Sequence, residues 1–496
     1  MVLSLKKLRA KALDFLKPRV DGVTAQTPEP VGIFVNDLHS RLNKTRVERV
    51  VSPGSIDEVQ ALIQQTKAEG RAVCIVGGRH AMGGQQFARD SILLDTQKLN
   101  RVIHFDPERG LIKVEAGCRW PELLHWLERT QARTPAQWGI RQKQTGADRL
   151  SIGGALSANA HGRGLLLRPI IDDVESMTLV DSNGKVLTCG RKENDELFRL
   201  VIGGYGLFGV IADVTLRLAP RQKMERVVEI IGVDELIPAI ERRIADGFLY
   251  GDFQFTIDPE HDDFLRKGVF SCYRPIEITA EIPGHQKELT TQDWMRLFYL
   301  AHKNKTRAFE EYATYYLSTH GQRYWSDTHQ LSEYVDEYHR QLDEWLGPSG
   351  KGSEMITEIY VPRESLISFM EDVRKEFRKR QVNLIYGTVR FIEKDDESFL
   401  AWAKQRYVCI VFNLHTAHDP QALSKTAAAF RLLIDHGIRR GGSYYLTYHR
   451  WATRAQVETC YPRFIEFLRR KSHYDPNGRF QSEWYRHYVK MFADSL

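Results

Sequence analysis

The run Val73-Cys74-Ile75-Val76 empties directly into Gly77-Gly78-Arg79-His80-Ala81-Met82-Gly83-Gly84, ahead of Gln85-Gln86-Phe87, and no other segment constrains the chain more. An unbroken apolar run of this length predicts a strand buried on both faces. The glycines at its end remove the Cβ atoms that keep backbone N–H groups away from an anionic ligand, which is how a backbone cradle for phosphate is built. His80 sits inside that cradle, where an imidazole nitrogen meets a ligand rather than solvent. Ile92-Leu93-Leu94-Asp95 reads as the next strand.

Two more segments repeat the theme. Gly146-Ala147-Asp148-Arg149-Leu150-Ser151-Ile152-Gly153-Gly154-Ala155-Leu156-Ser157-Ala158-Asn159-Ala160-His161-Gly162-Arg163-Gly164 is small at almost every other position, and Gly203-Gly204-Tyr205-Gly206-Leu207-Phe208-Gly209-Val210-Ile211 leads into a further strand. Glycine in quantity costs chain entropy and persists where backbone must approach something closely. Together the three outline an extended nucleotide cofactor, with the strand from Gly209 offering its open backbone to an adenine edge. None matches the strand-to-helix G-x-G-x-x-G fingerprint or the G-x-x-x-x-G-K-[ST] loop, so the cofactor is held in another way.

Around these segments strands are predicted at 72–76, 92–95, 111–115, 176–180, 186–189 and 209–218, with Asn183-Gly184 as a hairpin turn. Ser55 caps a helix over 55–63. After Pro220 the pattern changes. Strands at 227–232, 253–257, 355–361, 386–391 and 408–413 surround a region dense in aromatic and charged residues, with helices at 294–300, 331–338 and 456–471 and a loop over 347–353. The class is α+β.

At 496 residues the chain exceeds what one core usually supports. Four regions are expected: a lead-in over 1–45, a cofactor domain over 46–220, a substrate domain over 221–450 with an antiparallel sheet flanked by helices, and a segment over 451–496 that returns to the first domain. The excess of 70 basic over 64 acidic side chains is mild and forms no block, which argues against nucleic acid as a partner. Six scattered cysteines without a C-x-x-C pair, and no histidines clustered near them in sequence, predict a reducing, cytoplasmic setting and no metal. Met1–Leu13 reads as a basic amphipathic helix that packs on its own protein or touches an anionic membrane surface, and no segment is apolar enough to span a bilayer.

The glycine segments, taken in order over 47–220, resemble the FAD-binding domain of the vanillyl-alcohol oxidase and para-cresol methylhydroxylase superfamily. The resemblance implies a two-lobed FAD domain. It assigns cofactor contacts to Gly77, Gly78, Arg79, His80 and Ala81, to Gly146, Gly153, Gly154, Ser157, Asn159, Ala160, His161 and Gly162, and to Gly209 and Ile211. Gly77-Gly78-Arg79-His80 resembles the loop whose histidine is joined to the flavin 8α-methyl carbon, with Arg79 where glycine is common and Ala81 where serine is common. Ala147 and Asp148 stand where doubly linked members carry cysteine, so a histidyl link through His80 alone is expected. His161 reads as a structural residue bonding nearby backbone. Ala160 resembles a small residue over the flavin that affects access of dioxygen but does not decide the acceptor.

The second half resembles the aldonolactone and alditol oxidase branch in short pieces. On Thr357-Glu358-Ile359-Tyr360-Val361-Pro362, Glu358 and Tyr360 share a strand face and point toward one pocket, or else face solvent or pair with an arginine. Arg390 reaches toward flavin and substrate, or forms a salt bridge. In Gly441-Gly442-Ser443-Tyr444-Tyr445-Leu446-Thr447-Tyr448-His449, Tyr448 stands where that branch carries a catalytic lysine, and His449 beside it is a second candidate base. Asp475-Pro476-Asn477-Gly478-Arg479-Phe480 resembles the C-terminal signature that folds back to the flavin domain. These pieces imply an FAD-linked oxidase or dehydrogenase acting on a CH–OH group of a sugar, polyol or lactone, passing electrons to dioxygen or another acceptor. The rivals are oxidation of an amine or aromatic alcohol, suggested by the aromatic residues from Tyr312 to Tyr338, and a flavin-binding protein without turnover.

Overall fold

Ser55 Oγ accepts the amide of Glu58 at 3.2 Å and starts the helix Ile56–Ala68, which crosses from the strand Arg49–Val51 to Val73–Val76. In this computed structural model, which describes residues 32–332, 335, 338–347 and 351–496, both strands pair in parallel with Ile92–Asp95 between them. Every residue of that middle strand is buried, as an unbroken apolar run requires. The amphipathic helix expected over 1–13 lies outside the described residues.

A second, antiparallel sheet of five strands follows the order Val186–Gly190, Val174–Val180, Val210–Arg217, Leu111–Glu115, Val102–Asp106. Its first two strands form the expected hairpin, with Gly184 at φ +79 in the turn. Val210–Arg217 lies between Val174–Val180 and Leu111–Glu115, but Leu111–Glu115 pairs only with Asp213–Arg217, so Val210 and Ile211 have a strand partner on one side only.

From Lys223 to Tyr444 one antiparallel sheet of eight strands runs in the order Arg323–Trp325, Lys223–Gly232, Lys267–Ile276, Tyr250–Phe255, Leu384–Ile392, Tyr407–Thr416, Ser353–Pro362, Ser443–Tyr444. Helices Leu366–Arg380 and Pro420–Ile438 cover one face, where Phe369 and Phe377 meet Phe412. The strand alternates, so Cys409, Val411 and Asn413 point to the opposite face, together with Glu354, Ile356 and Glu358 of the neighbouring strand. That face is the floor of the site.

Two expected helices are corrected. The one over 456–471 is split into Arg454–Cys460 and Phe464–Tyr474, because Pro462 has no amide to donate and closes the first turn of a new helix instead. Leu331 and Ser332 are irregular, and the helix begins at Tyr338 and runs to Leu346; residues 333–334 and 336–337 of the expected 331–338 helix lie outside the described residues, as do 348–350 of the expected loop. The turn at Asp475 then carries the chain back to the first sheet. Val73 N donates to Arg479 O at 2.7 Å and Gln481 N to Val73 O at 2.9 Å, so residues 479–481 pair along the strand that feeds the glycine loop.

Candidate active site

Where Val73–Val76 ends, the chain passes against the second glycine segment. A Cβ on Gly78 would lie 2.5 Å from Arg149 O and 2.8 Å from His80 Cδ2, so the two segments meet backbone to backbone and only glycine fits the seam. Arg79 follows at φ +60, the left-handed region that favours glycine, which accounts for the usual residue there. Overpacking such a seam costs about 1–3 kcal/mol. Gly78→Ala is therefore expected to lower flavin occupancy of the purified protein about tenfold, read as flavin absorbance per polypeptide; occupancy equal to wild type would remove the seam from the site.

His80 is buried, with Nδ1 2.9 Å from His39 Nε2. Burial first, and then His39, bring the His80 ring down to about 3; burial also lowers His39 against the pull of Asp37. Both rings are thus neutral near neutral pH, and a single proton serves the line between them. His39 is held by Asp37, whose Oδ1 accepts the amides of His39, Ser40 and Arg41 at 3.1, 2.5 and 3.2 Å. Sequence reasoning missed His39 because no glycine, repeat or apolar run flanks it.

The second segment forms the helix Ile152–Ala158, capped by Ser151 and ended by Asn159 at φ +48. Gly77 to Ala81, Gly146, Gly153, Gly154, Ser157, Ala160, His161, Gly209 and Ile211 all open onto one cavity of about 1030 Å³. Asn159 and Gly162 do not border that cavity. Asn159 ties its amide to Asp395 and Ser398 at 3.0 and 3.2 Å and accepts from the Ile171 amide, which makes it a joint between chain segments. Gly162 donates to Gln142 Oε1 and is small because a Cβ would lie 2.7 Å from Lys143 O.

Across the cavity stand Glu358, Arg390 and Tyr448. Glu358 Oε2 faces His161 Nε2 and accepts from Tyr360 Oη, each at 2.8 Å, while Oε1 accepts from Tyr448 Oη at 2.8 Å. His161 is therefore more than the backbone-bonding residue expected. Its Nδ1 does face Gly162 O at 3.1 Å, so both ring nitrogens point at oxygen atoms. Burial alone would push the Glu358 carboxyl up, but His161, Arg390 and the Tyr448 hydroxyl outweigh it and hold it down at about 2. Burial and the Glu358 charge push the Tyr448 phenol well above its ordinary value, so it remains a neutral donor.

Arg390 is not consumed by a salt bridge: its Nε is buried without a hydrogen bond, and Tyr386 and Glu358 raise its pKa against burial. Tyr360 and His449 do not border the cavity. Tyr360 is fully buried behind Glu358, stacked on Trp402 with ring centroids 4.6 Å apart, and acts on the site only through its hydrogen bond to the carboxylate. His449 stacks on Phe430 at 4.6 Å on the helix-covered side and bonds Thr357 Oγ1 at 3.2 Å; burial lowers its ring to about 3. Tyr445 was missed; its hydroxyl donates to Ala158 O at 2.7 Å and its ring lines the cavity.

Residues 47–190 match the family described as FAD binding domain. Among curated relatives, the chain is 31% identical to an uncharacterized oxidoreductase, ORF5 in the fasciation locus of Rhodococcoides fascians, over 36% of this chain and 39% of the relative. It is 26% identical to D-arabinono-1,4-lactone oxidase of Debaryomyces hansenii over 42% of this chain and 40% of the relative. Against L-gulonolactone oxidase of Bos taurus it is 21% identical over 87% of this chain and 93% of the relative. The first two matches thus span about two fifths of those relatives, whereas the third spans nearly all of its own. Residues 47–190 form an FAD-binding domain, and the likeness of the chain lies with the aldonolactone oxidase branch of the vanillyl-alcohol oxidase and para-cresol methylhydroxylase superfamily.

Proposed function

We propose that the protein oxidises a CH–OH group of a sugar, polyol or aldonolactone with FAD, and passes the electrons to dioxygen or another acceptor. One observation carries this reading: three glycine segments and the Glu358, Arg390 and Tyr448 side chains open into a single cavity. At about 1030 Å³ it is as large as small-molecule sites become, roughly 300–1,000 Å³, which leaves room for a dinucleotide and a substrate together. Gly77 to Ala81, Gly153, Gly154 and Gly209 would hold FAD along one wall. Bound FAD would supply the hydride acceptor. Arg390 would place fixed positive charge where negative charge grows on reduction. The Tyr448 proton is committed to the Glu358 carboxylate, so Tyr448 Oη would accept a hydrogen bond from the substrate hydroxyl and hold it, with the Glu358 charge strengthening that acceptor. His161 and Tyr360 are positioning residues that hold that carboxylate.

In this reading residues 46–220 make a two-lobed FAD domain, 221–450 a substrate domain and 451–496 the returning segment. Support comes from the three- and five-stranded sheets lying within the first range and the eight-stranded sheet within the second. His80 would be the point of covalent attachment, with His39 holding its ring through the contact at Nδ1. Acid precipitation tests this: flavin colour should stay with wild-type protein and leave His80→Ala, whereas complete release from wild type would remove the link. Among the described residues no helix is long and apolar enough to cross a membrane. The six cysteines are unpaired and buried, in keeping with a cytoplasmic setting.

A second reading, an aromatic alcohol or amine as donor, is favoured by Tyr312, Tyr315, Tyr316, Tyr324 and Trp325, which line the far end of the cavity. Anaerobic bleaching of the flavin decides between the two. Bleaching by aldonolactones or alditols supports the first, bleaching only by aromatic donors the second, and bleaching by neither leaves a protein that binds flavin without turnover.

A further inference from the structure

We propose that His302, Glu354 and His415 form a binding site for one divalent transition-metal ion of the zinc type in the wall of the same cavity. The sequence argued against any metal because these donors are far apart in the chain. The fold brings them together. Glu354 and His415 are cross-strand partners, and His302 arrives from the last turn of the helix Thr291–Lys303. One ligand atom from each lies within 4.8 Å of the others.

The spacing is that of metal ligands. His302 Nε2 lies 3.3 Å from Glu354 Oε1, and His415 Nδ1 lies 3.2 Å from the same oxygen, within hydrogen-bond reach as well. Donors about 2.0–2.1 Å from a tetrahedral zinc ion stand about 3.3 Å from one another, whereas N–H···O bonds cluster near about 2.9–3.0 Å. His302 adds an independent sign. Its side chain is only 6% exposed, yet its Nε2 makes no hydrogen bond, so the ring nitrogen faces Glu354 Oε1 without aiming a proton at it. A cation beside the oxygen would satisfy that lone pair.

The remaining carboxylate oxygen is already fixed. Glu354 Oε2 accepts from Tyr338 Oη at 2.8 Å and faces His339 Nδ1 at 3.2 Å, the kind of outer contacts that orient a metal-binding carboxylate. The other close donor group, His161, Glu358 and Cys409, is a poorer candidate. His161 sits 2.8 Å from Glu358, a hydrogen-bond distance, and burial and Glu358 raise the Cys409 thiol far above its ordinary value, which keeps it protonated.

Three protein donors leave a fourth position, and His302 and Glu354 both border the cavity. Glu354 and Glu358 share a strand face four residues apart, about 13 Å along the strand. The ion would therefore stand away from the reacting carbon, where its open position takes water or an oxygen of the distal end of a donor molecule.

The test uses the full-length flavin-loaded protein, stripped with a chelator and titrated with cobalt(II) followed by its ligand-field absorption, with zinc content after reconstitution measured by mass spectrometry. Wild type should take up one equivalent with the spectrum of a four-coordinate ion. Glu354→Gln and the double variant His302→Ala, His415→Ala should bind at least about 100-fold more weakly. His302→Gln, altered at a helix end and checked for unchanged flavin content and thermal midpoint, should weaken binding as well. Absence of stoichiometric uptake by wild type, or wild-type affinity in a folded His302→Gln protein, would overturn the site.

Discussion

Glu358→Gln is expected to slow flavin reduction by about 10²–10⁴-fold, the range that a positioned acid–base group contributes, while FAD stays bound. The carboxylate touches Tyr448 and faces His161 and Tyr360, each at 2.8 Å, and the amide keeps its shape but not its charge. Tyr448 then loses the charged acceptor that orients its hydroxyl. Tyr448→Phe should lose as much, and the double variant little more, because the two act as one path. Stopped-flow reduction measures all three, and a Glu358→Gln rate within a few-fold of wild type would dismiss the path. The same pair predicts a pH effect on stability. The folded carboxyl sits at about 2 against an ordinary 4.5, so its contribution is complete above 4.5 and is lost as pH falls toward 2. The wild-type acid-unfolding curve should fall through that window, and the Glu358→Gln curve should be flatter there.

Asp475→Ala should destabilise the fold by about 3–5 kcal/mol, the cost of stripping one partner from a buried ion pair. Lys471 and Asp475 are buried against each other, and the same carboxylate accepts the amides of Arg479 and Phe480, each at 2.8 Å. Loss of the carboxylate leaves a buried ammonium and frees the turn that brings residues 479–481 onto Val73. Flavin occupancy should therefore fall together with the thermal midpoint, since that strand feeds the loop of His80. Lys471→Met with Asp475→Asn removes the stranded charge and should recover part of the midpoint; a single Asp475→Ala variant as stable as wild type would show that the turn is held elsewhere.

Much of the fold was legible where local chemistry decides it. Ile92–Asp95 and Leu111–Glu115 lie where apolar runs and turn residues set them, and the hairpin at Asn183-Gly184 needs only a residue tolerant of positive φ. The break at Pro462 was legible too, but helical spacing on either side of it masked a proline that cannot sit in mid-helix. The glycine segments announced a close approach, and the FAD-binding match over 47–190 covers the first two of them. Side-chain partners were harder to read. Nothing local distinguishes Tyr448, which faces the cavity, from His449, which stacks on Phe430, because the choice is made by the helix Pro420–Ile438 packed behind them. The contact between His39 and His80 depends on a turn held by Asp37, and the meeting of His161 with Glu358 depends on the loop after the helix Ile152–Ala158 reaching the strand Ser353–Pro362.

The strand Val73–Val76 takes one of its neighbours from residues 479–481, so the support of the first glycine loop is finished by a segment that follows every glycine segment in the chain. A nascent polypeptide that has already emitted every glycine segment still lacks that edge. Closure of the first glycine loop is thereby tied to the arrival of residues 479–481.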